Sequence, residues 1–466
     1  MKYKKTILMM IFCYSIQCIA QSPTAQNELP IGVFDSGTGG LTVLQAILTL
    51  DAFNNITGEL GADGKLDFEN ESYQYLADQA NMPYGNYAAA GKTDLLKEHM
   101  MKNLQFFIGE NYDKHISDSW MPAQKPPVKM VVLACNTATA YTLTDLKHWL
   151  QQQHLPVPCI GVIDAGSKAA LIYYEHNPGT IGVFATAGTV ASGGYPRALR
   201  MFAKQNLVAD TLSIISEGGV GLAESIDRDW DYFNDTLSAA RQSYKGPSLK
   251  NKSLLIDTSL LAAYHFNTMQ NELLCEYDEK GSCLNMQLNA PSNYVRYHLV
   301  SMLEQMKEQN YHQPLSTLIL GCTHYPYMRD TIQAVLNELY NFQQNGNYVY
   351  RQALAPHVEL IDPAVETAKQ AWLTLHNEHL QANPKHENEN MFFITVPNTQ
   401  LKEVQLQTNG SFTYEYKYGR VASANKKYVQ TETFTTKNIS GATFNRFKQV
   451  LPDVYTALQK VIPELK

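Results

Sequence analysis

The 466-residue sequence lacks the signatures of several large enzyme classes. It contains no G-x-G-x-x-G dinucleotide fingerprint, P-loop, G-x-S-x-G nucleophile elbow or H-E-x-x-H zinc motif. Cys-x-x-Cys is also absent, as is any long basic run, and the net charge is −7. Because nucleic acid is bound through clustered Lys and Arg side chains, it is not an expected partner.

Long hydrophobic runs are scarce as well. The one exception is the apolar stretch at 7–20, which follows Lys2, Lys4 and Lys5 and ends at Ala20. This pattern is typical of a signal peptide over residues 1–20. We therefore expect an exported, periplasmic protein with no membrane span in the mature chain. A lipid anchor at Cys18 is the alternative, although the residue before it is not small.

Cysteine is sparse after the signal segment, where five remain. Cys275 and Cys283 bracket a polar loop, and they either form a disulfide or remain two unpaired thiols. Cys159, in PVPCIGV, fits a small buried hydrophobe. Cys135 and Cys322 are left without an evident structural role.

Those two cysteines stand in similar surroundings. VVLACNTAT (131–139) and LILGCTHYP (318–326) are aliphatic runs that each end at a cysteine followed by polar residues. A thiol at the end of a strand meets helix dipoles and polar donors, which favour the thiolate. His324 lies two residues after Cys322 and is suited to exchange its proton. A structural disulfide between Cys135 and Cys322 is the alternative.

Short strands alternate with helix-like stretches along the chain. IGVF occurs at 31–34 and again at 181–184, each time followed by turn residues and an amphipathic stretch. Alternation of this kind predicts βαβ units and parallel sheets. We therefore expect an α/β fold with two similar doubly wound domains that face each other across a central cleft.

The domain boundaries follow from the same pattern. We predict a first domain over 30–162, continued by about 330–385. A second domain spans 163–329, with an insertion at about 228–292. Residues 390–466 are predicted to form an accessory segment, with a hairpin around Asn409-Gly410 and a helix kinked at Pro452.

Two further loops are candidates for ligand binding. DSGTGGLTV (35–43) places a carboxylate, a hydroxyl and backbone amides where a strand ends, the usual ligand site of open α/β sheets. Asp35 is then an acid/base group or an amine partner, or else only a helix cap. NMPYG (81–85) offers an aromatic hydroxyl, although turn formation alone would explain it. His376 and His379 lie in a polar stretch, and no metal site is expected.

In this order, DSGTGGLTV, PYG, ACNTATA, GVID, ATAGTVASGGY and GCTHYP resemble the motifs of glutamate racemases. These enzymes belong to the cofactor-independent aspartate/glutamate racemase superfamily. The resemblance covers roughly residues 30–370, and Cys-Thr-His in place of Cys-Thr-Glu favours glutamate over aspartate. It implies two α/β domains around a buried cleft, often in a homodimer, and a two-base reaction without a cofactor.

The resemblance also implies roles for individual residues. Cys135, assisted by Asp35, would deprotonate D-glutamate, and Cys322, assisted by His324, would deprotonate L-glutamate. The remaining site residues would hold the two carboxylates and the ammonium group of the amino acid. They are Ser36, Pro83, Tyr84, Gly85, Asn136, Thr137, Thr189 and Thr323.

The chain departs from the family in three respects. A family segment with a Cys-Pro-like start and a Val-Glu corresponds here to SEGGVGLAESI (216–226), in which Glu224 is the candidate glutamate and cysteine is missing. Family members are also shorter and cytoplasmic, and they supply D-glutamate for peptidoglycan precursors of the cell wall. Alternative functions are therefore racemisation of aspartate or another amino acid, and an exported amino-acid-binding protein that has lost turnover.

Overall fold

A computed structural model describes residues 26–116, 119–208, 212–383, 389–422 and 427–465. The predicted signal segment and Cys18 lie outside these residues. Within the described ranges, none of the helices combines the length and apolar character needed to cross a membrane.

Strands and helices alternate through most of the chain. The strands are β1 (Ile31–Asp35), β2 (Tyr73–Ala77), β3 (Asn111–Ile116), β4 (Ser119–Gln124), β5 (Met130–Leu133), β6 (Cys159–Gly161), β7 (Thr180–Ala185), β8 (Ile214–Gly218), β9 (Leu273–Tyr277), β10 (Cys283–Leu288), β11 (Leu315–Gly321), β12 (Gln343–Gln344), β13 (Asn347–Tyr348), β14 (Leu354–Ile361), β15 (Met391–Pro397) and β16 (Val429–Thr433). The α-helices are α1 (Leu41–Leu48), α2 (Gly85–Ala89), α3 (Thr93–Ile108), α4 (Asn136–Gln152), α5 (Val162–His176), α6 (Ala187–Ser192), α7 (Gly194–Gln205), α8 (Leu222–Ile226), α9 (Leu261–Tyr264), α10 (Pro291–Glu308), α11 (Arg329–Asn341), α12 (Pro363–Asn377), α13 (Tyr414–Gly419), α14 (Gly441–Val450) and α15 (Pro452–Val461).

Two main sheets organise the molecule. The first has the order β16-β15-β2-β1-β5-β6, and its strands are parallel except for β16 at one edge. The second has the order β14-β11-β7-β8 and is parallel throughout. The predicted α/β fold with two similar halves is therefore confirmed.

Each sheet is covered on both faces, as parallel sheets require. Ile31 and Val33 of β1 enter one core, whereas Phe34 enters the core on the opposite face. In the second sheet, Leu318 and Ile319 of β11 are divided between two cores in the same way. This double coverage explains why the strands read as unbroken aliphatic runs and not as alternating patterns.

The described residues from 390 onward are built into the first half, as strands of its sheet and helices of its core, and do not form an accessory hairpin-plus-helix. β15 pairs in parallel with β2, and β16 adds an antiparallel edge strand. The hairpin predicted at 404–416 is limited to a turn with one antiparallel bridge, between Leu406 and Phe412. Pro452 begins the new helix α15 and does not kink a single long one, because proline suits the first helical turn, where its missing N–H is not needed.

The predicted return to the first half at about residue 330 is too early. Helix α11 packs in the core of the second half through Ile332, Val335 and Leu336, and β14 pairs with β11. The chain returns at α12, whose Trp372 lies in the core of the first half. The amphipathic pattern of α11 suits either sheet, so only packing decides where it belongs.

The insertion at 228–292 carries its own two-stranded sheet, β9 with β10. Cys275 and Cys283 form a disulfide across it, with their Cα atoms 5.6 Å apart. Cys135, Cys159 and Cys322 are free and buried. The sequence left open whether Cys275 and Cys283 pair, and the structure pairs them.

Candidate active site

The carboxyl ends of the two sheets meet at the predicted motifs. A Cβ added to Gly39, in the loop after β1, would lie 3.0 Å from Oγ1 of Thr323 and 3.8 Å from Cε1 of His324, both in the loop after β11. One added to Gly85 would lie 3.6 Å from Cα of Gly188 in α6. The two halves therefore contact each other where parallel strands place ligand-binding loops.

Asp35 is the last residue of β1 and is buried. Its Oδ2 accepts hydrogen bonds from the amides of Gly37, at 3.3 Å, and Gly40, at 2.8 Å. Burial raises the pKa of this carboxyl, and the hydrogen bonds from Gly40, Ser36, Gly37 and the thiol of Cys135 partly oppose the rise. Asp35 and Cys135 act on each other's pKa, so the carboxyl lies close enough to the thiol to serve as its proton partner.

Cys135 stands at the N-cap position of α4. Its Sγ lies 3.8 Å from Oγ of Ser36. Burial, followed by the negative charge of Asp35, raises the pKa of the Cys135 thiol to about 12, against the lowering effect of the Ala138 amide. The pKa of Cys135 is therefore not lowered as its position predicted, because burial and the charge of Asp35 outweigh the hydrogen bonds at the helix start.

Cys322 follows β11 and has a different environment. The chain after it forms a 3₁₀ turn over Tyr325–Met328 before α11, so the thiol does not cap an α-helix as Cys135 does. Its Sγ lies 3.8 Å from Nδ1 of His324, the predicted partner. The aromatic hydroxyl of Tyr325 donates to the carbonyl of Gly219 at 3.0 Å and ties this turn to the loop before α8.

His324 joins Cys322 to an acidic residue that the sequence did not indicate. Its Nε2 lies 3.1 Å from Oδ2 of Asp227, the residue directly after α8. Although burial lowers the pKa of His324, the hydrogen bond and charge of Cys322 and the charges of Asp35 and Glu224 raise it above its ordinary value. The imidazole is therefore suited to hold a proton next to Cys322.

Asp227 has a second partner, Arg446 of α14, to which it forms an ion pair. The two residues are 219 positions apart in sequence, and Arg446 stands in no recognisable motif. The contact joins the C-terminal part of the first half to the loop region of the second half. No local pattern in the sequence could have indicated it.

Glu224, the candidate for the family glutamate, caps the start of its own helix. Its Oε2 accepts a hydrogen bond from the amide of Gly221, 3.1 Å away, at the start of α8. Its charge acts on His324, but the direct contact with the imidazole belongs to Asp227. Asp227 follows Glu224 by three residues, which places both carboxylates near the same turn of chain.

Three of the predicted ligand-binding side chains form hydrogen bonds with other residues of the protein. The buried hydroxyl of Tyr84 donates to Asp78 at 2.6 Å. Asn136 accepts a hydrogen bond from the hydroxyl of Tyr195 at 2.9 Å. Thr189 accepts one from the hydroxyl of Thr186 at 3.0 Å.

The other predicted binding residues lie at or near the loops of this site. Thr323 Oγ1 is 3.5 Å from Nδ1 of His324, and Thr137 is buried in the first turn of α4. Ser36 contacts Cys135 as described, and Pro83 is exposed at the start of the Pro-Tyr-Gly segment. The structure thus brings the four predicted acid–base residues and their loops to one region of the molecule.

No protein-family model matches the chain. Curated relatives are nonetheless found over most of its length. A glutamate racemase of Levilactobacillus brevis is 27% identical over 382 residues, which cover 82% of this chain and 91% of the relative. A glutamate racemase of Limosilactobacillus fermentum is 25% identical over 366 residues, 78% of this chain and 88% of the relative.

Solved structures of the same name are also similar. A glutamate racemase isoform of Bacillus anthracis is 23% identical, with a TM-score of 0.45, over 79% of this chain and 89% of that one. A glutamate racemase of Francisella tularensis, solved with D-glutamate, is 19% identical, with a TM-score of 0.43, over 86% of this chain and 99% of that one.

Proposed function

Because the chain resembles the glutamate racemases in its motifs and over most of its length, we propose that it interconverts L- and D-glutamate by a two-base reaction without a cofactor. The observation that carries the proposal is the pairing of each of two free thiols with its own proton partner. Cys135 has Asp35, and Cys322 has His324. The two thiols come from different halves of the molecule.

Inversion at a carbon atom needs groups on two opposite faces. In the direction from L- to D-glutamate, the Cys322 thiolate takes the Cα proton, and the electron pair of that C–H bond remains on the substrate. Cys135 then gives its own proton to the opposite face. Two bases placed in this way avoid returning the proton to the face from which it came.

The surroundings of Cys135 and of His324 support these roles. A pKa of about 12 keeps Cys135 protonated near neutral pH, which suits a proton donor. The raised pKa of His324 suits a group that exchanges a proton with the neighbouring Cys322. In the reverse direction, the roles of the two thiols exchange, and Asp35 assists Cys135.

Incubation in heavy water tests the proposal directly. We expect deuterium at Cα and loss of optical activity when either enantiomer of glutamate is supplied. A panel that includes aspartate and other amino acids identifies the substrate, since the alternatives include racemases of those compounds. Binding of glutamate in calorimetry without deuterium exchange would instead favour an exported binding protein. Deuterium exchange only into a different amino acid would mean that the protein is a racemase with another substrate.

The assembly and location of the protein are part of the proposal. The resemblance implies a homodimer, which size-exclusion chromatography with light scattering tests. The N-terminal segment supports export to the periplasm, and the mass of the mature chain distinguishes cleavage after Ala20 from a lipid on Cys18. An exported racemase would act on D-amino acids released from the cell wall and not on wall precursors.

A further inference from the structure

Helix α14 belongs to the first half by its packing and contacts the second half through the side chain of Arg446. Phe444 and Phe447 are buried in the core that also holds β1 and α1. Arg446, between them, pairs with Asp227 at the end of α8. The two charged side chains are 33% and 36% exposed, so the pair is only partly open to solvent.

Both oxygens of the Asp227 carboxylate are engaged. Oδ1 pairs with Arg446 and Oδ2 with Nε2 of His324, whose Nδ1 faces the sulfur of Cys322. The side chains of Arg446, Asp227, His324 and Cys322 thus form a continuous series of polar contacts from α14 to the thiol. A carboxylate held on both oxygens cannot turn away from the imidazole without giving up an ion pair.

This series of contacts has a chemical consequence for His324. A carboxylate at Nε2 holds a proton on that nitrogen, so Nδ1 is left as the acceptor that faces Cys322. The same imidazole then carries both protons, as a cation, when Cys322 is a thiolate. An untethered aspartate would let the neutral ring exchange between its two tautomers, and only one of these accepts a proton from the thiol.

We propose that Arg446 is a positioning residue that completes the acid–base partner of Cys322 through Asp227 and His324. It lies outside residues 30–370, which hold the motifs of the resemblance, and so gives the C-terminal segment a role in the reaction. The pair also spans the two halves, so it forms only when they are together. This inference rests on the proposed racemase function.

Loss of Arg446 should slow proton exchange only on the face of the substrate that Cys322 serves. In a Cys135→Ser background, only Cys322 serves as base, and Arg446→Gln should slow deuterium exchange into L-glutamate by about fivefold, as loss of a partly exposed ion pair would. In a Cys322→Ser background, the same change should leave exchange into D-glutamate unaltered. Lys448→Gln, which removes an exposed positive charge from the same helix, is the control and should change neither rate.

A second measurement does not depend on turnover. At a pH above the raised pKa of His324, where the ring is neutral, its ¹⁵N shifts should report a single Nε2–H tautomer in the wild type, in Lys448→Gln and in the charge-conserving Arg446→Lys. They should report mixed tautomers in Arg446→Gln. Unchanged ¹⁵N shifts of His324 in Arg446→Gln, or an equal loss of deuterium exchange on both faces of the substrate, would overturn the role of Arg446. Either result would leave the proposed racemase function standing. Failure of the wild type to exchange any amino acid would overturn the proposed function itself, and the role of Arg446 with it.

Discussion

Cys322 and His324 lie two residues apart and touch, with Sγ 3.8 Å from Nδ1. Cys135 has no such neighbour in sequence and meets Asp35 from the adjacent strand of the first sheet. The two thiols therefore differ in the kind of partner they have, an imidazole for one and a carboxylate for the other. This asymmetry leads to the following predictions about single residues.

Replacing either thiol should greatly slow inversion but leave proton transfer on one face of the substrate. We expect Cys135→Ser and Cys322→Ser each to lower racemisation by about 10²–10⁴-fold, the usual contribution of a general acid or base. Each variant should still exchange deuterium into one enantiomer, because the remaining thiol serves one face. Chiral chromatography combined with mass spectrometry measures both quantities, and full racemisation by both variants would contradict a two-thiol reaction.

The Cys135 thiol should resist alkylation at mildly alkaline pH. Burial and the charge of Asp35 raise the pKa of Cys135 to about 12. Its thiol therefore stays protonated at pH values at which an ordinary cysteine is already a thiolate. At pH 9, only about one molecule in a thousand would carry the thiolate, the form that reacts. Iodoacetamide labelling, read by peptide mass spectrometry, should therefore be slow at Cys135, and half-maximal labelling below pH 9 would refute this prediction. Cys159, buried with a pKa also raised to about 12, is the internal reference.

Gly40 should not tolerate a side chain. A Cβ at this position would lie 2.5 Å from Cβ of Asp35 and 2.8 Å from Cβ of Ala134, so Gly40→Ala must displace the Asp35 loop. We expect a loss of about 1–3 kcal/mol in the free energy of unfolding, the range for an overpacked core, and a loss of exchange activity. Gly419→Ala is the matched control, since a Cβ there meets nothing within 4 Å. Urea unfolding of both variants provides the comparison, and equal stability would argue against the contact.

Replacing only one partner of the buried ion pair between Lys129 and Glu71 should lower the stability of the protein strongly. Nζ of Lys129 and Oε2 of Glu71 are 2.6 Å apart, and their side chains are 0% and 5% exposed, respectively. Lys129→Met or Glu71→Gln alone leaves a buried group without its partner, and we expect a loss of about 3–5 kcal/mol in the free energy of unfolding. Breaking the exposed Lys97–Asp145 pair by Lys97→Met should cost no more than about 1 kcal/mol. Similar losses for the two pairs in urea titrations would contradict the burial argument.

The Cys275–Cys283 disulfide should stabilise the insertion through a short covalent loop. With a sequence separation of 8, the chain-entropy relation predicts a stabilisation of about 2.5 kcal/mol. We expect the double variant Cys275→Ser/Cys283→Ser to lose about that much in urea unfolding under non-reducing conditions. Under reducing conditions, the wild type should fall to the level of the variant. A wild type unaffected by reductant would show that the bridge contributes nothing.

Several features of the molecule followed directly from the sequence. The unbroken aliphatic runs indicated strands buried on both faces, and their alternation with helices indicated parallel sheets, because both patterns are local consequences of burial. The same runs located Asp35, Cys135 and Cys322 at strand ends, and the spacing of Cys322 and His324 predicted their contact. These predictions rest on residues that are close in the chain or on the common geometry of parallel strands.

The tertiary structure decided what depends on distant contacts. It assigned β14 and α11 to the second half, added β15 and β16 to the first sheet, and joined Cys275 to Cys283. It also brought Arg446 to Asp227, and Asp227 to His324, across 219 and 97 positions respectively. Local sequence patterns carry no record of such pairs, since each partner has ordinary neighbours. Burial, too, is a property of the folded chain, and for that reason the Cys135 thiol at the start of a helix has a raised pKa and not the lowered one that its position predicted.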